Sequence, residues 1–328
     1  MNSRSKIKMN HDQITSLLHE LGFDTVENLK PLGAGEFNAV FAFDSLQEHY
    51  VLKIAPRNDF EVMTYEHQMM SSEVFWYRQI SQNTSIRVPK LYVFRKADEK
   101  TAFDCLVMER LSGVTMDDFP FSKEEKDATL SQLVKMASQI HDIENSQYGY
   151  PQNGLFDNWF DAISSMISQA LNDVAKKHRT SRRGEKLLHY VKKNEELLRS
   201  VPSRMVNFDL WPSNVLCERK DHQGIQFAWI DPERSFWGDP IADFVCFQFL
   251  VPFEKKTEAL AAYQGSSKQP FTGTISEQIR YAIMEGYLAL IMEVEKYYRY
   301  APLYPGWSRN VIVSKLLYAS AFRVLDRT

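Results

Sequence analysis

Between residues 205 and 233 the chain sets two carboxylates and one carboxamide beside short apolar runs. Asn207-Phe208-Asp209-Leu210-Trp211-Pro212-Ser213-Asn214 is flanked by Met205-Val206 and Val215-Leu216, and Ile230-Asp231-Pro232-Glu233 follows a short way downstream. Transfer of a phosphoryl group asks for little covalent work from a protein. It needs a group to orient and accept the proton of an attacking hydroxyl, and oxygen ligands for magnesium on the phosphates. Asp209 suits the first role, and Asn214 with Asp231 the second, because Mg2+ keeps several waters and takes most other ligands from phosphate. Asp, Asn, Pro and Ser also populate turns for local reasons, which is the competing account of each residue taken singly. The order of the three, each next to an apolar strand, favours chemistry.

The elements that must position these residues fall into two parts. Ile14, Leu17, Leu18 and Leu21 recur at helical spacing, with Gly22 where a helix ends. Residues 29–43 and 50–54 read as strands of a hairpin turning at 45–48. Lys53 lies in the second strand and points opposite to Leu52 and Ile54. Helical periodicity returns over 63–80, Val88-Pro89 ends it, and strands follow at 91–94 and 103–111, closed by Ser112-Gly113. Beyond, 123–140, 159–174 and 185–198 read as helices, 205–208, 215–217 and 227–230 as short strands, and the chain from 241 onward as mostly helical. The pattern predicts an α+β protein with a β-rich lobe, residues 1–108, and a larger helical lobe, residues 109–328, with the ligand site in the cleft between them.

On these residues the chain resembles the aminoglycoside phosphotransferase and choline kinase superfamily, the small-molecule relatives of protein kinases, from about Leu29 to Phe244. The resemblance implies a bilobal protein-kinase-like fold that uses ATP or GTP with Mg2+ to phosphorylate a small-molecule hydroxyl. It makes Asp209 the base, and Asn214, five residues later, and Asp231 the metal ligands. Gly33, Gly35, Asn38 and Val40 match the family's nucleotide-covering loop, where glycines let the backbone approach phosphates. Lys53 matches the lysine that holds the α and β phosphates and pairs with a helix glutamate; Glu73 is preferred for that partner over Glu66. Met108, Glu109 and Leu111 match the strand and hinge that bind adenine through the backbone groups of 109 and 111. Asp243, beyond Gly238-Asp239-Pro240, matches an acid that buttresses the loop. One position departs: the family starts the loop with histidine two residues before the base, and here stands Asn207.

Composition narrows the alternatives. In 328 residues, 44% are hydrophobic and 13% aromatic, which excludes a disordered chain, and a net charge of -3 argues against a nucleic-acid binder. Cys105, Cys217 and Cys246 are scattered and lie in apolar runs, so they read as buried thiols in a reducing compartment rather than zinc ligands. With no signal peptide and no run near the roughly 20 apolar residues of a membrane span, the expected location is cytoplasmic, with no membrane partner. The aromatic cluster Tyr297, Tyr298, Tyr300, Tyr304 and Trp307, and His141-Asp142 at a helix end, are assigned to packing and structure. A Rossmann dehydrogenase is a poorer reading, because the glycine-containing hairpin is followed by another strand rather than a helix. A non-catalytic nucleotide-binding regulatory module is the alternative to catalysis, with Asn207 its one support. Acids and bases are matched between 254 and 299, which weakens a polycationic antibiotic as acceptor and leaves an amino alcohol, sugar or other metabolite open.

Overall fold

Strand alternation gives the N-terminal sheet two apolar faces, and a helix covers each. The computed structural model describes residues 6–32, 37–99, 101–220, 224–302 and 304–327. The first part holds α1 (His11–Glu20), β1 (Glu27–Pro31), β2 (Ala39–Ser45), β3 (Glu48–Ile54), α2 (Met69–Asn83), β4 (Leu91–Arg95) and β5 (Cys105–Glu109). The strands pair antiparallel in the order β1-β2-β3-β5-β4. Because successive residues face opposite ways, Leu52 and Ile54 of β3 join Cys105 and Val107 of β5 against Ile14, Leu17 and Leu18 of α1. Val51, Leu106 and Met108 face the other way, against Met70, Val74 and Tyr77 of α2. Lys53 shares that second face.

Local sequence explains the ends of these elements. Asn10 and Gln13 exchange hydrogen bonds of 2.9 Å between side chain and backbone, satisfying N–H groups that a helix start leaves open. The β2–β3 hairpin turns through Leu46 and Gln47 at φ 49° and 66°, the left-handed pair that suits a two-residue loop. The helical spacing over 63–80 is realised only in part. The chain makes a 3-10 turn at Thr64–Glu66, passes Gln68 at φ 55° and starts α2 at Met69. Asp173 accepts from the N–H and hydroxyl of Thr64 at 2.7 Å each, and Arg299 pairs with Glu66. These tertiary ties replace a continuous helical ladder.

The second part runs β6 (Val114–Thr115), α3 (Lys123–His141), α4 (Trp159–Lys176), α5 (Arg182–Lys193), α6 (Glu195–Arg199), β7 (Arg204–Val206), β8 (Val215–Lys220), β9 (Gly224–Trp229), β10 (Phe236–Gly238), α7 (Thr257–Gln264), α8 (Ile275–Arg299) and α9 (Pro305–Leu325). The single helix expected over 185–198 is divided at Asn194, whose side chain donates to the Tyr190 carbonyl at 2.9 Å. Strands β6, β8 and β9 form one small antiparallel sheet and β7 with β10 another. Helix α8 is buried on nearly all sides, the charged residues Glu277, Glu285, Glu295, Lys296 and Arg299 included. Tyr297 meets Trp307 edge-on at 5.2 Å and Tyr300 stacks on Tyr304 at 6.4 Å. These rings pack against one another and the α8–α9 junction. The three cysteines are buried thiols, and no helix among the described residues is long and apolar enough to cross a membrane.

Two measurements test this core. A Cβ at Gly238 would lie 2.5 Å from Trp159 Cζ3 and 2.9 Å from Phe236 Cε2. Gly238→Ala should therefore cost about 1–3 kcal/mol by overpacking, read as a lower urea midpoint; an unchanged midpoint contradicts the close fit. Glu285 is 1% exposed, and burial pushes its carboxyl up to about 7 against the opposing pulls of Ser320, Lys256 and Arg323. In the unfolded chain a glutamate titrates near about 4.3. The folded protein therefore binds more protons between these two values, and stability falls as pH rises through that window. Glu285→Gln should flatten this part of the Tm–pH curve.

Candidate active site

Strand β3 delivers Lys53 to the α2 face of the sheet, where it is 3% exposed. A lone ammonium in that setting would be costly. Nζ instead donates to both oxygens of Glu73, at 2.7 and 2.8 Å, and to Asp231 Oδ1 at 2.5 Å. Burial works against the charge, but Asp231, Glu73 and Glu233 outweigh it and raise the Lys53 pKa well above its ordinary value. Glu66 lies elsewhere, paired with Arg299. Asp231 follows β9 at φ 57°, and its N–H donates to the Tyr77 hydroxyl at 3.0 Å. Helix α2 thus supplies one member of this charge cluster, Glu73, and through Tyr77 touches another, Asp231.

The loop after β7 is held from beneath. Asp243, fully buried, accepts the N–H groups of Asn207 at 3.2 Å and Phe208 at 2.6 Å. His141, the last residue of α3, contacts Asp243 Oδ2 at 2.9 Å and the Tyr263 hydroxyl at 2.9 Å. Phe208, at φ 57°, turns the chain while its ring packs against Phe236 and Tyr287. Asn207 Oδ1 accepts the Asp209 N–H at 3.2 Å, a local turn that asparagine makes well.

Asp209 follows with both carboxylate oxygens engaged. Trp211 Nε1 donates to Oδ1 at 2.9 Å and Asn214 Nδ2 to Oδ2 at 2.8 Å; Asn214 Nδ2 also reaches the Asp209 carbonyl at 3.0 Å. Burial raises the Asp209 pKa, and the Arg234 guanidinium, 3.8 Å away, opposes it. The Asn214 carbonyl accepts from Ile230 N–H at 3.0 Å, tying this loop to the segment that leads from β9 to Asp231. Asn214, its Nδ2 committed to Asp209, offers Oδ1 as an oxygen ligand, and Asp231 offers its carboxylate.

Those two residues suit Mg2+, a hard ion that takes oxygen ligands and fills its shell from water and phosphate. Among the described residues no group of three or more His, Cys, Asp or Glu could hold a metal. When bound, the ion would neutralise charge on the transferring phosphates.

The remaining expected residues line the sheet side. Asn38 donates to Glu233 Oε2 at 3.2 Å, and burial, reinforced by Asp231, Glu73 and Asp209 and opposed by Lys53, pushes the half-buried Glu233 carboxyl up to about 8. Val40 pairs with Lys53 across β2–β3 and packs with the Leu106–Met108 layer. Glu109 gives its N–H to the Lys90 carbonyl at 2.8 Å, while its side chain meets Arg87 at 2.8 Å and Lys90 N–H at 3.1 Å. Leu111 is buried. Gly33 and Gly35 lie outside the described residues. Sequence reading gave no role to Glu233 and did not find Tyr77, Arg234, Glu295 or Arg299; their neighbours carry no pattern that marks them.

A lysine–glutamate pair under an antiparallel sheet, facing an Asp, Asn, Asp constellation on a helical half, is the layout of a protein kinase. The phosphotransferase enzyme family model matches residues 28–273, and the chain belongs to that family. It is a small-molecule kinase, a phosphotransferase with a hydroxyl acceptor. A thermostable mutant of aminoglycoside phosphotransferase APH(4)-Ia in its apo form is 17% identical, with 95% of this chain and 98% of that chain covered and a TM-score of 0.61. A protein described as a fructosamine-3-kinase from Haemophilus somnus is 16% identical, with 94% and 96% covered and a TM-score of 0.65. The streptomycin–ATP complex of APH(2")-IIa is 18% identical, with 96% and 98% covered and a TM-score of 0.60. At these identities the likeness is one of fold. The search of curated proteins returned no match.

Asp243→Ala would strand two loop N–H groups and an imidazole without their acceptor. The expected loss is about 3 kcal/mol or more of stability, measured by urea unfolding; a loss below about 1 kcal/mol would show that the loop is held by other means.

Proposed function

We propose that the chain transfers the γ-phosphoryl group of ATP or GTP, with Mg2+, to a hydroxyl of a small molecule bound between the loop at 207–214 and the helices after Asp243. The observation that carries this reading is the convergence of Lys53, Glu73 and Asp231 with Asp209 and Asn214. In this reading residues 1–108 bind nucleotide and residues 109–328 supply the catalytic loop and the acceptor site. Lys53 steadies the nucleotide phosphates, Asn38 and Val40 with Gly33 and Gly35 cover it, and the backbone of Glu109 and Leu111 next to Met108 meets the base. Asn214 and Asp231 hold the metal.

Asp209 aims and receives the hydroxyl proton. As the acceptor oxygen bonds to the γ-phosphorus, the bond from that phosphorus to the β,γ-bridging oxygen breaks, and the proton passes to the Asp209 carboxylate. The two donors on Asp209, Trp211 and Asn214, fix its plane before the acceptor arrives. Such positioning is most of what a loose phosphoryl transition state requires.

Asn207 no longer favours a non-catalytic module, since its amide occupies the base of the loop with a hydrogen bond to Asp209. Related structures hold an adenine nucleotide, in complexes of APH(4)-Ia with ADP and hygromycin B and of APH(2")-IIa with ATP and streptomycin. That supports ATP as donor. For the acceptor, a fructosamine-like or other metabolite alcohol stands beside an antibiotic. The net charge of -3 argues against a nucleic-acid partner and for a small-molecule one, and three scattered, buried thiols fit a reducing, cytoplasmic setting.

Purified protein with Mg·ATP or Mg·GTP, offered a panel of hydroxyl compounds, should release diphosphate nucleotide with at least one of them. Asp209→Ala should slow that release by about 10²–10⁴-fold, the usual worth of a general base. Release at the full rate in Asp209→Ala would sink the mechanism.

A further inference from the structure

Arg299, the last residue of α8, is 6% exposed, and its guanidinium meets two segments distant in sequence as well as Glu295, one turn back on its own helix. It donates to Glu66, which precedes α2 and also accepts the Met63 N–H at 2.9 Å. Its other terminal nitrogen lies 2.8 Å from Glu295 Oε1, which accepts Arg234 Nη2 at 2.9 Å; Arg234 in turn approaches Asp209. Its face lies 5.3 Å from the Phe37 ring, next to Asn38 and its bond to Glu233. Asn310 steadies the centre of this chain of charges by donating to Glu295 Oε2 at 3.1 Å.

We propose that Arg299 is a positioning residue for phosphoryl transfer, setting the nucleotide side of the cleft, through Glu66 and α2, against the acceptor side, through Glu295 and Arg234. The inference rests on the kinase reading of the cleft.

The physical case is that alternating buried charges tolerate little displacement. Glu66 and Glu295 have side-chain exposures of 1% and 6%, so each depends on a guanidinium that cannot move without breaking a pair. Helix α2 carries Glu73 and Tyr77, hence the aim of Lys53 and Asp231 follows the turn that Arg299 holds. Asp173 and Gln152 also grip that turn, Gln152 donating to the Tyr65 carbonyl at 3.2 Å. Losing Arg299 therefore loosens the cleft without releasing α2.

The test compares Glu66→Gln, Glu295→Gln, Arg299→Lys and Arg299→Met for affinity toward a fluorescent ATP analogue with Mg2+, labelling of Lys53 by an adenosine sulfonyl fluoride located by peptide mass spectrometry, and ADP release from Mg·ATP with water as acceptor. Glu66→Gln should weaken nucleotide affinity and slow Lys53 labelling by about tenfold, with turnover of bound nucleotide nearly kept. Glu295→Gln should do the reverse. Arg299→Met should show both losses, and Arg299→Lys should restore part of each. This split is not what a general loss of stability produces. Two glutamate variants that move every readout together in proportion to Tm, or Arg299→Met within twofold of wild type on all three, overturn the inference. Should Arg299→Met fail to fold, the split between the two glutamate variants decides. Wild-type protein that neither binds the analogue nor labels at Lys53 overturns the kinase reading, and this inference with it.

Discussion

A buried ammonium must draw its counter-charges from whatever surrounds it, and Lys53 draws them from two elements that no local sequence connects to its own strand. Strand β3 supplies the amine, α2 supplies Glu73, and the end of β9 supplies Asp231. Removing any one leaves an uncompensated charge in a poorly hydrated place, at a cost of several kcal/mol. The position of α2 on the sheet and that of the helical half beneath it are therefore fixed together. In the proposed reaction nucleotide phosphates offer Lys53 new anionic partners, and Asp231 is freed for metal while Glu73 keeps the amine in place.

The acceptor side follows a different logic. Asp209 is aimed by a loop whose first two N–H groups end on one buried carboxylate, Asp243. That carboxylate is itself positioned by His141 at the end of α3. Trp211 serves both directions, donating to Asp209 and meeting Phe249 edge-on at 5.1 Å, so the segment after Asp243 is in touch with the Asp209 carboxylate.

What was legible in the sequence is what local chemistry dictates. The hairpin around Lys53 follows from alternation and a short polar turn, α1 from a capped apolar stripe, and the order Asp209, Asn214, Asp231 from carboxylates set beside apolar strands. Glu66 and Glu73 are not told apart by local pattern, since one continuous helix would put both on roughly one face. The separation comes from the break at Gln68, which depends on Asp173 and Arg299, more than a hundred residues away in the chain. Glu295 and Arg299 were equally hidden, because a run of balanced charges gives no sign of which members turn inward. Asn194 divides a helix whose periodicity continues across it, since one side chain bonding back to its own preceding turn leaves no trace in an apolar pattern.

Asn207 and His141 together bear on how chains of this kind are recognised. The loop lacks an imidazole at its start, yet an imidazole still touches Asp243, supplied by a helix some sixty residues earlier in the sequence. A linear signature anchored on a loop histidine would discard this chain. A spatial signature, one buried carboxylate receiving two successive loop amides and an imidazole from any direction, would retain it, and would group together sequences that divide the same support differently between loop and helix.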